Sequence, residues 1–67
     1  MEARQGKVVA FDREVGLGEV RGDDGTALPF HCIEIADGSR DIAVGTRVTY
    51  RVVAKLGSYE ASGLTPD

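Results

Sequence analysis

The spacing of glycine is the feature that most constrains the fold of this chain. Nine glycines recur every few residues among 67. No window keeps apolar residues at positions i, i+3, i+4 and i+7 with polar residues between them. Because an amphipathic helix needs that pattern, and interior glycine weakens a helix, the sequence favours an all-β domain.

Short runs of β-branched and aromatic residues supply the predicted strands. The clearest is 47–54, in which Val48, Tyr50 and Val52 alternate with polar side chains. The other predicted strands are 7–11, 18–21, 27–31 and 59–64. Asp24-Gly25 is a strong hairpin signal, and residues 32–35 suit one short helical turn. Five strands at this spacing predict a small barrel or sandwich, occupying 1–67 as a single domain.

The alternation also predicts a core. The side chains expected to point inward are Val8, Phe11, Val20, Leu28, Phe30, Ile35, Ile42, Val48, Tyr50, Val52 and Leu64. Each large apolar side chain contributes roughly 1.5–3 kcal/mol when buried, but the ordering entropy of a short chain cancels most of that gain. We therefore expect modest stability.

Charge and cysteine content limit the possible functions. The net charge is −3, so the domain as a whole repels phosphate, although a local basic patch is still possible. Cys32 is the single cysteine, which excludes an intramolecular disulfide and, with only His31 beside it, a four-ligand zinc site. Cys32 is interpreted as a packing residue. A reactive thiol is the alternative, and the sequence offers it no third orienting group.

No combination of side chains indicates catalysis. The sequence has no serine or cysteine with a base and an orienting group, and no carboxylate pair placed by a motif. We expect a protein that is not an enzyme and has no cofactor. Residues 1–5 lack the apolar stretch of a secretory signal, and no run approaches the ~18 apolar residues of a membrane span. The unpaired thiol fits a reducing compartment, so a cytoplasmic location is expected.

Four segments occur in the order and spacing of a known family. They are Gly6–Asp12, Gly16–Val20, Leu28–Ile35 and Gly45–Tyr50. Together they resemble the bacterial cold-shock domain, over about residues 5–65. The resemblance implies a five-stranded antiparallel OB-type barrel with one short helical turn after the third strand. It also implies binding of single-stranded RNA or DNA.

The residues that stack on bases in that family are replaced in this chain. Gly16 and Gly18 match the glycines of the family motif Lys-Gly-Phe-Gly-Phe-Ile, and His31 matches the histidine that ends Val-Phe-Val-His. The positions of the stacking aromatics hold Ala10, Leu17, Glu19, Pro29, Cys32 and Ser39. Because stacking contributes about 1–3 kcal/mol per base, their loss predicts weak binding.

The first functional hypothesis is a cold-shock-like module that binds single-stranded nucleic acid weakly. Its candidate contacts are Lys7, Arg13, Leu17, His31 and Tyr59. The resemblance implies a base or phosphate contact for His31, and a partly exposed strand residue is the alternative. Tyr59 either supplies a stacking platform or is an ordinary half-exposed strand tyrosine. The basic residues alternate with acidic ones along the chain, which favours a solvated surface over a phosphate track.

The second hypothesis is a protein-interaction or self-association module on the same scaffold. Val9 and Val15 stand where the family has lysines, and with Leu17 and Pro29 they form a predicted apolar contact patch for a second copy or another protein. The two hypotheses differ in what should line this face. Leu17 lying beside Val9 on an exposed face favours protein interaction, whereas arginine and lysine side chains favour nucleic acid.

Overall fold

The computed structural model describes residues 3–67 as five β-strands and one turn of 3-10 helix. The strands are β1 (Arg4–Asp12), β2 (Leu17–Gly22), β3 (Ala27–His31), β4 (Arg47–Lys55) and β5 (Ser58–Pro66), and the 3-10 turn is Cys32–Glu34. The predicted all-β class, the number of strands and the helical turn after the third strand are confirmed. Met1 and Glu2 lie outside the described residues. They are the first two residues of the predicted domain 1–67 and of the segment compared with a secretory signal.

All five strands belong to one antiparallel sheet with the order β3-β2-β1-β4-β5. This order makes β1 the central strand and leaves β3 and β5 as the two edges. Beyond the end of β3, a parallel bridge joins Ile35 to Leu64 of β5, and the Ala36 N–H donates to the Leu64 carbonyl at 2.8 Å. The sheet is not closed into the barrel that the resemblance implied, because no ladder pairs β3 with β5 among residues 3–67.

The core lies on one side of the curved sheet. Its buried members are Val8, Val20, Leu28, Phe30, Ile35, Ile42, Val48, Tyr50, Ala61 and Leu64. The alternation rule was correct for nine of these ten and missed Ala61, because polar neighbours on β5 hide the pattern. Phe11 and Val52 were predicted in the core and are only partly buried. Phe11 lies near the end of β1, where its ring stacks on Phe30 with centroids 5.9 Å apart.

Two glycines allow close packing at the centre of the sheet. A Cβ atom at Gly6 would overlap the carbonyl oxygen of Arg21 on the neighbouring strand. A Cβ atom at Gly18 would lie 2.5 Å from Cζ of Phe30, its cross-strand partner on β3. A side chain added at Gly6 would meet backbone atoms, which cannot rotate away. A side chain added at Gly18 would meet the Phe30 ring, which is packed in the core. Both positions therefore require glycine for reasons of space.

We expect Gly6→Ala to destabilise the fold by at least about 2 kcal/mol, because the new methyl group must separate β1 from β2. Urea unfolding measures the effect. Gln5→Ala, on the exposed neighbouring position, is the control and should change stability by less than about 0.5 kcal/mol. Equal stability of the two variants would contradict the close approach of these strands.

Glu34 ties the 3-10 turn to the edge strand β5. Its Oε1 atom accepts a hydrogen bond from the Ser62 hydroxyl at 2.7 Å and another from the Gly63 N–H at 3.2 Å. The Ser62 hydroxyl bond is the largest influence lowering the pKa of Glu34 below its ordinary value of 4.5, and the Gly63 N–H acts in the same direction. These bonds hold the chain after β3 against β5, beside the Ile35–Leu64 bridge.

Glu34→Ala should destabilise the protein by about 1–3 kcal/mol at pH 7, the range for hydrogen bonds to a charged group. The pKa of Glu34 is lower in the folded protein than in the unfolded chain, so its ionised carboxylate stabilises the fold. This stabilisation is complete above the pKa of the unfolded chain, and it is lost as the pH falls through the lower pKa of the folded protein. The stability difference from the native sequence should therefore shrink as pH falls below the ordinary glutamate value of 4.5. Denaturant titrations above and below that pH test it. Glu14→Ala, in an exposed loop, is the control, and a constant difference across these titrations would contradict this role.

Candidate functional site

The outward side of β1, β2 and β3 is the surface on which the sequence placed most of its candidate contacts; we call it the exposed face. The strand register divides its side chains into three rows that cross the sheet. The first row is Arg47, Lys7, Arg21 and Ala27, the second is Ala10, Glu19 and Pro29, and the third is Asp12, Leu17 and His31. The inward partners of these rows, such as Val8 with Val20 and Leu28, form the core.

Three cations occupy adjacent strands in the first row, which we call the basic row. Lys7 of β1 lies opposite Arg21 of β2 on one side and opposite Arg47 of β4 on the other. Side chains directly opposite in an antiparallel pair have Cβ atoms about 4.5–5.5 Å apart, and like charges there destabilise the sheet. The basic row is therefore an unfavourable arrangement for the isolated fold, and an anion bound there would relieve it.

Within the described residues only one member of the basic row forms an ion pair. Arg47 donates to both carboxylate oxygens of Asp23, at 2.8 and 2.9 Å. Hydrogen bonding from Arg47 is the main reason that the pKa of Asp23 lies below its ordinary value. No ion pair within residues 3–67 involves Lys7 or Arg21. Lys7 and Arg21 are therefore exposed cations that form no ion pair in this part of the chain.

The second and third rows carry negative charge and apolar surface. Glu19 is half-buried at the centre of the face, between Ala10 and Pro29. Asp12 ends β1, and its carboxylate accepts the Glu14 and Val15 N–H groups, so it shapes the β1–β2 turn. No phenylalanine, tyrosine or tryptophan among residues 3–67 lies on these rows, and the imidazole of His31 is their single aromatic ring, as the sequence predicted. The face therefore offers charge at one end and apolar contact at the other.

Leu17 and His31 are cross-strand partners in the third row, so two predicted contacts do lie together. Nδ1 of His31 accepts the Ile33 N–H at 3.4 Å, which caps the 3-10 turn, and Sγ of Cys32 lies 3.7 Å away. The Cys32 N–H donates to the Gly16 carbonyl at 2.7 Å. Cys32 is partly buried against Gly16, where an added Cβ would lie 2.8 Å from Sγ, in accord with its interpretation as a packing residue.

An apolar cluster surrounds the Gly16–Cys32 hydrogen bond. Val15, Leu17 and Ile33 have relative exposures of 60%, 49% and 61%, and they flank that bond in the chain. The predicted patch was Val9, Val15, Leu17 and Pro29; it did not include Ile33, and Pro29 is exposed in the second row, opposite Glu19. Val9 is wrong as an exposed member, because it is half-buried at the bulge between Val8 and Ala10. We refer to Val15, Leu17 and Ile33 as the apolar cluster.

Two predicted contacts, Arg13 and Tyr59, lie outside all three rows. Arg13, in the β1–β2 turn, donates from Nε to Asp41 at 2.9 Å and so links that turn to the segment before β4. Tyr59, 63% exposed, pairs with Ala54 at the start of β5 and lines a cavity between the sheet edges. Arg21 and Arg47 were not predicted as site residues, because only the strand register shows that they flank Lys7.

Residues 3–67 contain neither a cluster of metal ligands nor a membrane-spanning helix. No group of three or more histidine, cysteine, aspartate or glutamate side chains there is arranged to hold a metal ion. No helix in that part of the chain is long and apolar enough to cross a membrane.

Comparison with known proteins does not assign the chain to a family: no family model matches it, and no curated protein matches it significantly.

Proposed function

We propose that this protein is a single-stranded nucleic-acid-binding module of low affinity, with the basic row as its contact to the phosphate backbone. The observation that carries the proposal is the row itself: Arg47, Lys7 and Arg21 on three adjacent strands. Phosphate contacts made by lysine and arginine supply most of the affinity of sequence-independent binding. Binding of this kind does not require a positive net charge, only a local concentration of cations.

The strand arrangement supports an OB-type fold for this module. Three strands form a consecutive antiparallel meander, β4 pairs with the other side of β1, and β5 approaches the end of β3 through the Ile35–Leu64 bridge. In OB folds the face of strands 2 and 3, with the loops between strands 1 and 2 and between strands 4 and 5, binds oligonucleotides. The corresponding parts here carry Leu17, His31, Arg13 and Tyr59.

The same face explains why the binding is weak. Stacking on aromatic rings contributes about 1–3 kcal/mol per base in single-strand binders, and the three rows hold no phenylalanine, tyrosine or tryptophan, only the smaller imidazole of His31. Glu19 at the centre adds repulsion toward phosphate. Electrostatic contacts therefore provide most of the binding free energy, so the affinity should fall steeply with salt.

Fluorescence anisotropy with a labelled mixed-sequence oligonucleotide at low salt tests the proposal. Lys7→Gln with Arg21→Gln should weaken binding at least about tenfold and lower the salt slope by about 0.7 for each phosphate that the variant no longer neutralises. Arg51→Gln with Arg40→Gln is the matched control, since it removes the same charge from exposed positions outside the basic row and the β4–β5 loop.

Each outcome of that comparison is decisive. Weaker binding in the basic-row variant alone supports the proposal. Equal weakening in the two double variants would show that only net charge matters, and absence of binding at high micromolar protein would show that the module does not bind single strands.

Restoring aromatic side chains provides an independent prediction. Leu17→Phe, alone or with Pro29→Phe, should strengthen oligonucleotide binding by at least about fivefold per ring, because each substitution places a stacking platform on the exposed face. Thr65→Phe, which adds the same ring at an exposed position on the edge strand β5, is the control. Unchanged affinity in the Leu17→Phe protein would contradict base contact at this face.

The apolar cluster favours a second candidate, self-association or contact with another protein. Val15, Leu17 and Ile33 are each about half exposed or more and are close in the fold. Sedimentation velocity tests the self-association form, in which Leu17→Ser should shift a dimer to monomer. Oligonucleotide binding by a native protein that sediments as a monomer would instead favour the first function.

A further inference from the structure

The turn between β2 and β3 carries two neighbouring carboxylates that serve opposite sides of the sheet. Asp23 pairs with Arg47 of the basic row, on the outward side. Asp24 pairs with Arg4, which is four residues before the buried Val8 on β1. Because alternate residues of a strand point to the same side, Arg4 belongs to the side of the sheet that holds the core. The turn therefore places only one of its two acids beside the basic row.

Asp23 holds Arg47 in the geometry that a phosphate would also use. Nη1 and Nη2 of Arg47 donate to the two carboxylate oxygens at 2.8 and 2.9 Å. Arginine binds phosphate through the same two parallel hydrogen bonds. The Asp23 backbone is itself fixed, because its N–H donates to the Gln5 carbonyl of β1 at 3.0 Å. This edge of the guanidinium is therefore occupied by an anion that belongs to the protein.

We propose that Asp23 is an internal competitor of phosphate for Arg47, and that it limits how many phosphates the basic row engages. Lys7 and Arg21 form no ion pair within residues 3–67, so they meet a bound strand directly. Arg47 joins them only when a phosphate displaces the Asp23 carboxylate. This inference rests on the proposed function, because it assigns a role to an acid beside the same row.

The pair of Arg47 with Asp23 is weak enough for a nucleic acid to displace. Its two side chains are 48% and 56% exposed, and exposed ion pairs stabilise a protein little because water and salt screen them. A strand already held by Lys7 also brings further phosphates next to Arg47 at high local concentration, since these two residues are cross-strand partners. Asp23 therefore lowers the affinity without abolishing binding.

Anisotropy titrations of a labelled single strand at several salt concentrations test the proposal. Asp23→Asn should bind about threefold more tightly than Asp24→Asn, which removes the same charge from the next residue at nearly equal exposure, 54% against 56%. Its salt slope should be steeper by about 0.7, the contribution of one further phosphate. Adding Arg47→Gln to both variants should remove the difference between them, because the competition needs the guanidinium.

The outcomes separate this inference from the proposed function. Equal affinities and slopes for Asp23→Asn and Asp24→Asn overturn the inference alone, since net charge then explains both, provided that Lys7→Gln with Arg21→Gln still weakens binding. A difference that persists with Arg47→Gln overturns it as well. Binding by Asp23→Asn when the native protein binds nothing supports the inference. No binding by either protein at high micromolar concentration overturns both the inference and the proposed function.

Discussion

Pairing of β1 on both of its edges is the constraint on which the rest of the structure depends. β1 pairs with β2 along one edge and with β4 along the other, and Gly6 lies where a side chain would overlap the Arg21 carbonyl oxygen. Successive residues of a strand point to opposite sides, so this register determines both surfaces of the sheet. It directs Val8 into the core and Lys7 outward, between two arginines.

The same pairing leaves the sheet with one feature that the isolated fold does not require. Like charges stand opposite one another in the basic row. A sequence selected only for stability would avoid this arrangement, because neighbouring like charges destabilise a sheet. Sites that break the rules of stability are where function is expected. The basic row is accordingly the surface to which we assign a nucleic-acid partner.

The strands and core of this protein could be predicted from its sequence, and the candidate site only in part. Alternation of apolar and polar residues located the strands and most of the core, because burial on one face leaves a direct period-2 signal. The bulge at Val9 left no such signal, so Val9 was assigned to an exposed patch that it does not join. Arg21 and Arg47 were missed for a related reason: residues far apart in the chain become neighbours only through the register. Strand spacing predicted a barrel or a sandwich and the resemblance implied a closed barrel, but the sheet shows two edges instead.

A nuclear Overhauser spectrum of the backbone protons tests the central claim most directly, since it reports strand register without any ligand. We predict cross-strand contacts from Lys7 to both Arg21 and Arg47, and from Ala10 to Glu19, with Val9 paired to no residue of β2. A register in which Lys7 is opposite Val20 or Val48 would contradict this structure. That one-residue slip would turn Lys7 into the core and remove the basic row from the surface.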